Sequence, residues 1–268
     1  MIPFPSHSLV RWFAVLTIWF AAVSPAHAEP RYAWRAGGAA APGGTLEQRF
    51  APPEGFEREA VAAGSFAEWL RGLPMKAEGA PVLLHTGAHK WRQDVHAGVI
   101  DIDVGKRDLQ QCADAIMRLR GEWLYSLGRK GDIAFNDTEG KRLRFSARAK
   151  QDYPGFRRYM DYVFAYAGTY SLERELIAVS ADDIRAGDVF IKGGFPGHAV
   201  LVTDVVVNRA TGEKRFLLTQ SYMPAQEIHV LRNLAADDGS VWYGTDFGDT
   251  LDTPEWRFSR QQLKRWKS

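Results

Sequence analysis

The sequence predicts an α+β domain, in which a helix packs on an antiparallel sheet. Three observations predict this class. Apolar residues recur with a helical period between Asp108 and Leu127, three apolar segments between 188 and 221 have the composition of strands, and the helical segments precede these strands. A turn at 209–213 joins the last two strands, so we expect an antiparallel hairpin there.

The N-terminal segment 1–28 has the pattern of a secretory signal peptide. Arg11 precedes the apolar run Trp12–Val23, and Ala26-His27-Ala28 has the form of an A-x-A cleavage site. The run is too short to span a bilayer comfortably, although an uncleaved signal anchor is the alternative. We therefore expect the mature protein in the periplasm or outside the cell, with no stable membrane span.

Composition is typical of one globular domain, with 46% hydrophobic and 25% charged residues among 268. A flexible lead rich in Gly, Ala and Pro is expected over 29–50, followed by a single domain over 51–268. Loss of residues 1–28 removes one arginine and no acid, which leaves a net charge of about +1. This balance gives no electrostatic reason to expect a nucleic-acid partner.

Local signals predict the remaining elements. Ser65 and Glu68 form a capping box for a short helix that ends at Gly72. Apolar alternation and turn residues bound the others. We expect short strands at 81–86, 97–104, 133–135, 142–145 and 227–231, helices at 156–166 and from 171 to 176, and a short amphipathic helix in the tail 254–266.

The single cysteine, Cys112, is the first candidate for chemistry. It has no partner for an internal disulfide, and a free thiol is a liability in an oxidising compartment. A position one turn inside the helix that Asp108 begins lowers the pKa of a thiol and favours thiolate. The same position lies on the apolar face with Ala115 and Ile116, so the spacing is equally compatible with a packing residue.

His198 is the second candidate, because a glycine-rich segment at 193–197 delivers it to the start of an apolar strand. A histidine there suits a general base near neutral pH, and a hydrogen-bonded surface residue is the alternative. Asp204 lies six residues along the strand, roughly 20 Å away, and does not reach the ring. Gln220, on the returning strand, can come level with His198 and fix its tautomer.

The order of these residues resembles that of papain-like cysteine peptidases. In those enzymes a cysteine on a helix is followed by a histidine that opens a strand and by an asparagine on the next strand. Here Cys112, His198 in Gly-His-Ala-Val and Gln220 in Gln-Ser-Tyr follow the same order. Over residues 50–260 the segments DLQQCADA, GGFPGHAV and QSYMPAQEIHVL resemble the bacterial domain of unknown function 4846 family.

The resemblance implies a papain-like fold and a thiol hydrolase, an amidase or peptidase that cleaves an amide bond without a cofactor. Cys112 would be the nucleophile, His198 the base and then the acid, and Gln220 the residue that orients the imidazole. A peptidoglycan-derived peptide is the substrate class that the cell-wall hydrolases of this superfamily suggest. Gln220 departs from the pattern, because the peptidases carry asparagine at that place.

The oxyanion side also departs from the pattern. Lys106 occupies the region in which papain-like enzymes carry a glutamine before the cysteine. Gln110, Gln111 and the backbone N–H of Cys112 are the candidates for this role, and we favour the backbone with help from Gln111. Tyr222 is the candidate substrate contact.

Two alternatives remain open. His85, His89 and His96 lie within twelve residues and would serve a zinc-dependent hydrolase. A Thr-Gly-Ala turn separates the first two, however, so a helical pair of ligands is not expected. The other alternative is a non-catalytic module that binds the cell envelope and retains the fold.

Overall fold

The computed structural model describes residues 1–2, 30–35, 40–236 and 239–267, so nearly all of the predicted signal peptide lies outside the described residues. In the described part, no helix is long and apolar enough to cross a membrane. The helices are α1 (Leu46–Arg49), α2 (Phe66–Arg71), α3 (Cys112–Ser126), α4 (Tyr153–Tyr166) and α5 (Thr169–Glu175). The strands are β1 (Glu57–Arg58), β2 (His96–Val99), β3 (Ala134–Asn136), β4 (Arg142–Arg144), β5 (Leu176–Ala178), β6 (Val189–Lys192), β7 (His198–Val207), β8 (Lys214–Gln220), β9 (His229–Leu231), β10 (Tyr243–Gly244), β11 (Thr250–Asp252), β12 (Arg257–Ser259) and β13 (Leu263–Trp266).

A large antiparallel sheet organises the domain, and it confirms the predicted α+β class. Seven strands follow the order β2-β9-β8-β7-β6-β13-β5, while β1 pairs with β7 and β10 pairs with β8. Strands β7 and β8 form the predicted hairpin, with Leu201 opposite Thr219. At the other edge of β7, His198 pairs with Lys192 of β6. The first residue of β7 and the last residue of β8 therefore meet at the open end of the hairpin.

Strand β7 is buried at all ten positions, which explains why seven of its ten residues are apolar. Side chains alternate between the two faces of a strand. Ala199 and Leu201 pack in the larger core cluster, which includes the apolar face of α3. Val200 and Val202 pack in a second cluster on the opposite face. The sheet is thus covered on both sides, and α3 lies on only one of them.

Asp204 is the buried carboxylate that ties the N-terminal part of the domain to this sheet. Its side chain is fully buried and accepts hydrogen bonds from Arg58 at 2.8 Å and Arg71 at 2.6 Å. The Val205 N–H donates to the same carboxylate at the bulge in β7. Because a buried charge needs charged partners, these two arginines hold α2 and β1 against β7.

The tail 254–266 differs from its prediction, because it forms two strands joined by a 3-10 turn (Arg260–Gln262) in place of an amphipathic helix. Strand β13 inserts between β5 and β6, where Lys264 lies opposite both Ala178 and Val189. Without β13, the facing edges of β5 and β6 would leave unpaired backbone groups inside the domain. Leu263 is buried and Lys264 is half-buried, a pattern that suits a strand within the sheet as well as it suits one turn of a helix.

Residues 81–86 also differ from their prediction, because they make isolated bridges in place of a strand. The side chain of Gln93 takes both backbone groups of Val82, at 3.0 Å each. The Glu227 carboxylate accepts the N–H of Leu83 at 3.1 Å. Side chains therefore satisfy the backbone here in the way that a neighbouring strand would.

The described residues of the predicted flexible lead, 29–50, pack against the domain. The Trp34 indole donates to the Asp101 carbonyl at 2.7 Å, and Tyr32 packs on Trp69 at 5.2 Å between ring centroids. Leu46, in α1, is fully buried. The Gly- and Ala-rich composition hid these few aromatic and apolar anchors, which bury enough surface to order the segment.

Replacing Asp204 by alanine should destabilise the protein by about 3–5 kcal/mol, because it leaves Arg58 and Arg71 without their shared counter-charge. Urea denaturation followed by circular dichroism measures the loss. Asp252→Ala is the matched control, since Asp252 pairs with Arg257 at an exposed site and its loss should change little. Equal effects of the two substitutions would contradict the anchoring role of Asp204.

Candidate active site

Cys112 is the first residue of α3, so it does not lie one turn inside the helix as predicted. Gln111 occupies the N-cap position. Asp108, the predicted cap, accepts hydrogen bonds from the Ala225 N–H at 2.7 Å and from the Gln111 side chain at 3.0 Å. These contacts fasten Asp108 to the neighbouring loop and prevent it from capping the helix.

The thiol of Cys112 is a neutral group in the free protein. Burial, reinforced by the nearby Asp114 carboxyl, raises the pKa of the thiol to about 12. The backbone N–H groups of Ala113, Ala199 and Cys112 itself act to lower this pKa, but burial outweighs them. The predicted thiolate is therefore wrong for the free protein, because the helix N-terminus does not compensate for the loss of water.

Cys112 lines a cleft of about 310 Å³. The start of α3, the junction between α4 and α5, and the glycine-rich segment 194–197 form its walls. Phe195 and Met223 also line it, and they are 88% and 50% exposed. Large exposed apolar side chains at a concave site are typical of a binding surface. The cleft has room for an apolar or peptide-sized group beside the thiol.

The structure brings His198 and Gln220 together. His198 Nε2 lies 2.9 Å from Gln220 Oε1, and both side chains are buried. Gln220 Nε2 donates to Glu255 Oε2 at 2.7 Å and lies 3.3 Å from His229 Nε2. Since the amide nitrogen is engaged with these groups, its oxygen accepts the Nε2–H of His198. The Nδ1 atom of His198 is then the nitrogen that can accept a proton.

A buried ion pair stabilises the orientation of the Gln220 amide. The Lys90 ammonium donates to Glu255 at 2.6 Å, and the two side chains are 2% and 7% exposed. His229 Nδ1 lies 2.8 Å from the Glu227 carbonyl, which leaves its Nε2 free to accept from Gln220. The chain Lys90–Glu255–Gln220–His198 therefore satisfies each buried polar group in turn, as such networks must.

Sequence reasoning missed Lys90, Glu255 and His229. A pairing across 165 residues leaves no local signal, and Glu255 lies in a tail that was expected to end as a helix. Only His229 offered a clue, since a histidine inside the strand His229–Leu231 requires a buried partner.

The imidazole of His198 is neutral as well. Burial lowers its pKa to about 4, with a smaller contribution from the Lys90 charge, while the hydrogen bond to Gln220 acts to raise it. Its ring lies 4.8 Å from the Tyr222 ring, 5.3 Å from Trp256 and 5.9 Å from Phe258, measured between centroids. These aromatic walls exclude water and favour the uncharged ring.

The thiol and the imidazole are neighbours that do not touch. The Cys112 sulfur lies close enough to the Ala199 N–H for that group to influence its pKa. The His198 ring, however, contacts Phe258 in the second core cluster, on the face of the sheet opposite α3. No hydrogen bond joins Cys112 to His198 within the described part of the chain. Tyr222 is near both, since it contacts the His198 ring and its pKa is raised by burial, by Glu255 and by Cys112.

The groups predicted to stabilise an oxyanion differ in the hydrogen bonds that they already make. Gln111 donates its side-chain N–H to Asp108 at 3.0 Å. Gln110 is buried; its oxygen accepts from Arg118 at 3.0 Å, while its Nε2 has no hydrogen-bond partner among the described residues. The backbone N–H of Cys112 stands at the first position of α3, where no intrahelical acceptor is available. It is the donor best placed to meet negative charge beside the thiol.

The three histidines of the zinc alternative do not form a ligand set. His85 Nδ1 lies 3.3 Å from the Ala225 carbonyl, and His96 Nε2 lies 3.2 Å from the Ala80 carbonyl. His89 makes an isolated bridge with Leu83. Over residues 30–35, 40–236 and 239–267, no group of three His, Cys, Asp or Glu side chains is placed to hold a metal ion. The alternative has no support in this geometry.

Together these features define a mixed α+β protein whose one cysteine lines a cleft beside a buried histidine–glutamine pair. The chain belongs to the domain of unknown function 4846 family, whose model matches residues 46–150 and 146–265. No curated protein and no solved structure matches the chain. The family supplies no substrate, so the activity has to be inferred from the geometry of the site.

Replacing Glu255 by glutamine should change the tautomer of His198. The Lys90 ammonium would donate to the oxygen of the new side-chain amide at position 255, so the nitrogen of that amide would face Gln220. This nitrogen favours a Gln220 amide whose oxygen and nitrogen have exchanged places. His198 would then accept at Nε2 and carry its proton on Nδ1. Nitrogen-15 NMR distinguishes protonated from unprotonated ring nitrogens and measures the change.

The control for this substitution is Glu213→Gln, which alters an exposed carboxylate paired with Arg215 on the β7–β8 turn. It should leave the nitrogen-15 spectrum of His198 unchanged. If Glu255→Gln also leaves the proton on Nε2, Glu255 does not set the tautomer.

Proposed function

We propose that the protein is an exported thiol hydrolase that cleaves an amide bond, with Cys112 as nucleophile and His198 as base. The observation that carries the proposal is the His198–Gln220 hydrogen bond of 2.9 Å, which leaves Nδ1 of the imidazole as its proton acceptor. The contacts of Gln220, Glu255 and Lys90 satisfy the buried ring, and they also fix the tautomer that a general base requires. Cys112, the first residue of α3, lies near the backbone of Ala199, which follows His198 in β7.

The chemistry follows the general course of acyl transfer. Nδ1 of His198 takes the proton of the Cys112 thiol, and the sulfur attacks the carbonyl carbon of the substrate. The backbone N–H of Cys112 is available to the oxyanion that forms. The imidazolium returns its proton to the leaving amine as the carbon–nitrogen bond breaks. Water, deprotonated by His198, then hydrolyses the thioester and releases the acid and the free thiol.

The neutral thiol of Cys112 and the neutral imidazole of His198 impose a condition on this reaction. Because the pKa of the thiol is about 12 and that of His198 about 4, proton transfer is unfavourable before substrate binds. Catalytic hydrogen bonds often tighten only in the substrate complex. The proposal therefore requires that substrate in the cleft bring the Cys112 sulfur and Nδ1 of His198 into contact.

The apolar cleft supports an acyl group with hydrophobic character. Phe195, Pro196 and Met223 lie beside the thiol, and the cleft of about 310 Å³ suits a short peptide segment better than a long chain. Peptidoglycan peptides are proposed as the first substrate class, on the resemblance to cell-wall hydrolases and the predicted export. Tyr222 does not line the cleft and would contact only a substrate group that reaches the His198 ring.

A non-catalytic envelope-binding module is the second candidate, and one observation favours it. The thiol is neutral and makes no hydrogen bond to His198 in the described structure, as expected of an inert core cysteine. On this proposal the cleft binds a ligand without cleaving it. The two candidates differ in whether Cys112 is needed for turnover.

The purified protein should hydrolyse members of an amide library that includes muropeptides, and Cys112→Ala should reduce the rate at least about 1,000-fold, because the covalent route is lost. Mass spectrometry of the products measures the rate. Ser126→Ala, at the other end of α3 and outside the cleft, is the control and should retain full activity. Equal activity of Cys112→Ala and the control would exclude the nucleophile, and binding of muropeptides without turnover would favour the second candidate.

A further inference from the structure

A second and larger cleft lies along the other half of α3. Its volume is about 560 Å³, and it is bounded by α3, the β3–β4 hairpin, α5 and β13. Arg120, which follows Cys112 by eight residues and hence by about 12 Å along the helix, stands in its wall. The cleft shares no lining residue with the cleft beside the thiol. It is therefore a separate site.

The lining of this cleft is strongly basic. Two carboxylates, Asp132 and Glu175, line it. Six cationic side chains accompany them: Arg120, Arg129, Arg142, Arg144, Arg174 and Lys267. A concave surface lined by one sign of charge focuses the electrostatic potential and raises the local concentration of counter-ions. This concentration of charge contrasts with the near-neutral balance of the whole chain.

Ion pairs neutralise only part of this charge. Arg129 pairs with Asp132 at 2.7 Å, and Arg142 pairs with Glu175. The remaining four cations, Arg120, Arg144, Arg174 and Lys267, have no carboxylate partner among the described residues. Of these four, Arg120 interacts with the Asp132 carboxylate at longer range. The cleft nevertheless has an excess of positive charge, which an anion from solution would offset.

Arg120 is the best-fixed of the four. Its guanidinium carbon lies 4.4 Å from the centroid of the Trp123 ring, and 5.3 Å from those of Phe66 and Trp266. Aromatic faces hold a guanidinium in place but accept none of its five N–H groups. Burial, with the neighbouring Arg129 charge, lowers the pKa of Arg120 to about 10. An anion in the cleft would relieve both effects.

We propose that this cleft binds the phosphoryl group of a small molecule. A phosphate ester carries close to two negative charges and several acceptor oxygens, which matches a set of unpaired guanidinium groups better than a single carboxylate does. The volume leaves room for a further part of the molecule beyond the phosphoryl group. The concave shape favours a soluble ligand over the flat surface of a membrane.

Isothermal titration calorimetry with pyrophosphate, in phosphate-free buffer of low ionic strength, tests the proposal on the full protein. Arg144→Gln is the decisive variant, because Arg144 is exposed and lacks a partner, so its loss should leave the fold intact. We expect it to weaken pyrophosphate binding about tenfold, the effect of one charge-assisted hydrogen bond. Arg120→Gln should weaken binding at least as much. Cys112→Ala should bind as the unmodified protein does, whatever the outcome for hydrolysis.

Arg209→Gln is the matched control, since it removes the same charge from the exposed β7–β8 turn, outside the cleft. Its affinity should stay within about twofold of the unmodified protein. Equal losses in Arg144→Gln and Arg209→Gln would overturn the site. Citrate binding as tight as pyrophosphate binding would overturn phosphoryl recognition, because charge alone would explain it. Binding to phosphatidylglycerol vesicles but not to pyrophosphate would overturn the small-molecule ligand.

Discussion

The burial of β7 on both faces is the constraint on which the rest of the structure depends. A strand enclosed along its whole length can contain a polar side chain only where a partner is also buried. Asp204 meets that condition through Arg58 and Arg71, which fasten the N-terminal segments to the sheet. His198 meets it through Gln220. One physical requirement therefore accounts for the anchoring of the domain and for the geometry of the candidate site.

The same burial sets the chemistry of that site. Removal of water makes both Cys112 and His198 neutral, whereas exposed groups would stay nearer their ordinary pKa values. A neutral thiol is protected against oxidation, since the thiolate is the reactive form. A hydrolase of this design would be inactive until its substrate entered the cleft. In such a hydrolase the buried Lys90–Glu255 pair would keep the imidazole in one tautomer.

The strongest sequence patterns predicted the fold, and the long-range contacts escaped them. The apolar residues of β7 and its turn to β8 specified the hairpin, because a strand buried on both faces explains seven apolar residues in ten. The register places Gln220 one residue beyond the Leu201–Thr219 pair, on the face that His198 also occupies. The tail failed as a helix because β13 is required by two distant strand edges, a condition that is absent from its own sequence. The expected thiolate failed because the depth of burial of Cys112 cannot be inferred from sequence.

The basic cleft is a second feature that depends on long-range contacts and could not be predicted from the sequence. Arginines at 120, 144 and 174 are far apart in sequence, and the net charge of +2 for the whole chain gives no sign of them. Packing of α3, β4 and α5 around one cavity concentrates their charge. Local electrostatics thus depends on the fold and does not follow from composition.

The central claim, that His198 acts on Cys112 once substrate is bound, is tested most directly by the rate at which an amide that the protein hydrolyses acylates Cys112. Intact-protein mass spectrometry follows a single adduct, since the chain has one cysteine. We expect His198→Ala to slow acylation at least about tenfold, because the imidazole no longer takes the thiol proton in the substrate complex. Equal acylation rates in the unmodified protein and in His198→Ala would contradict the claim.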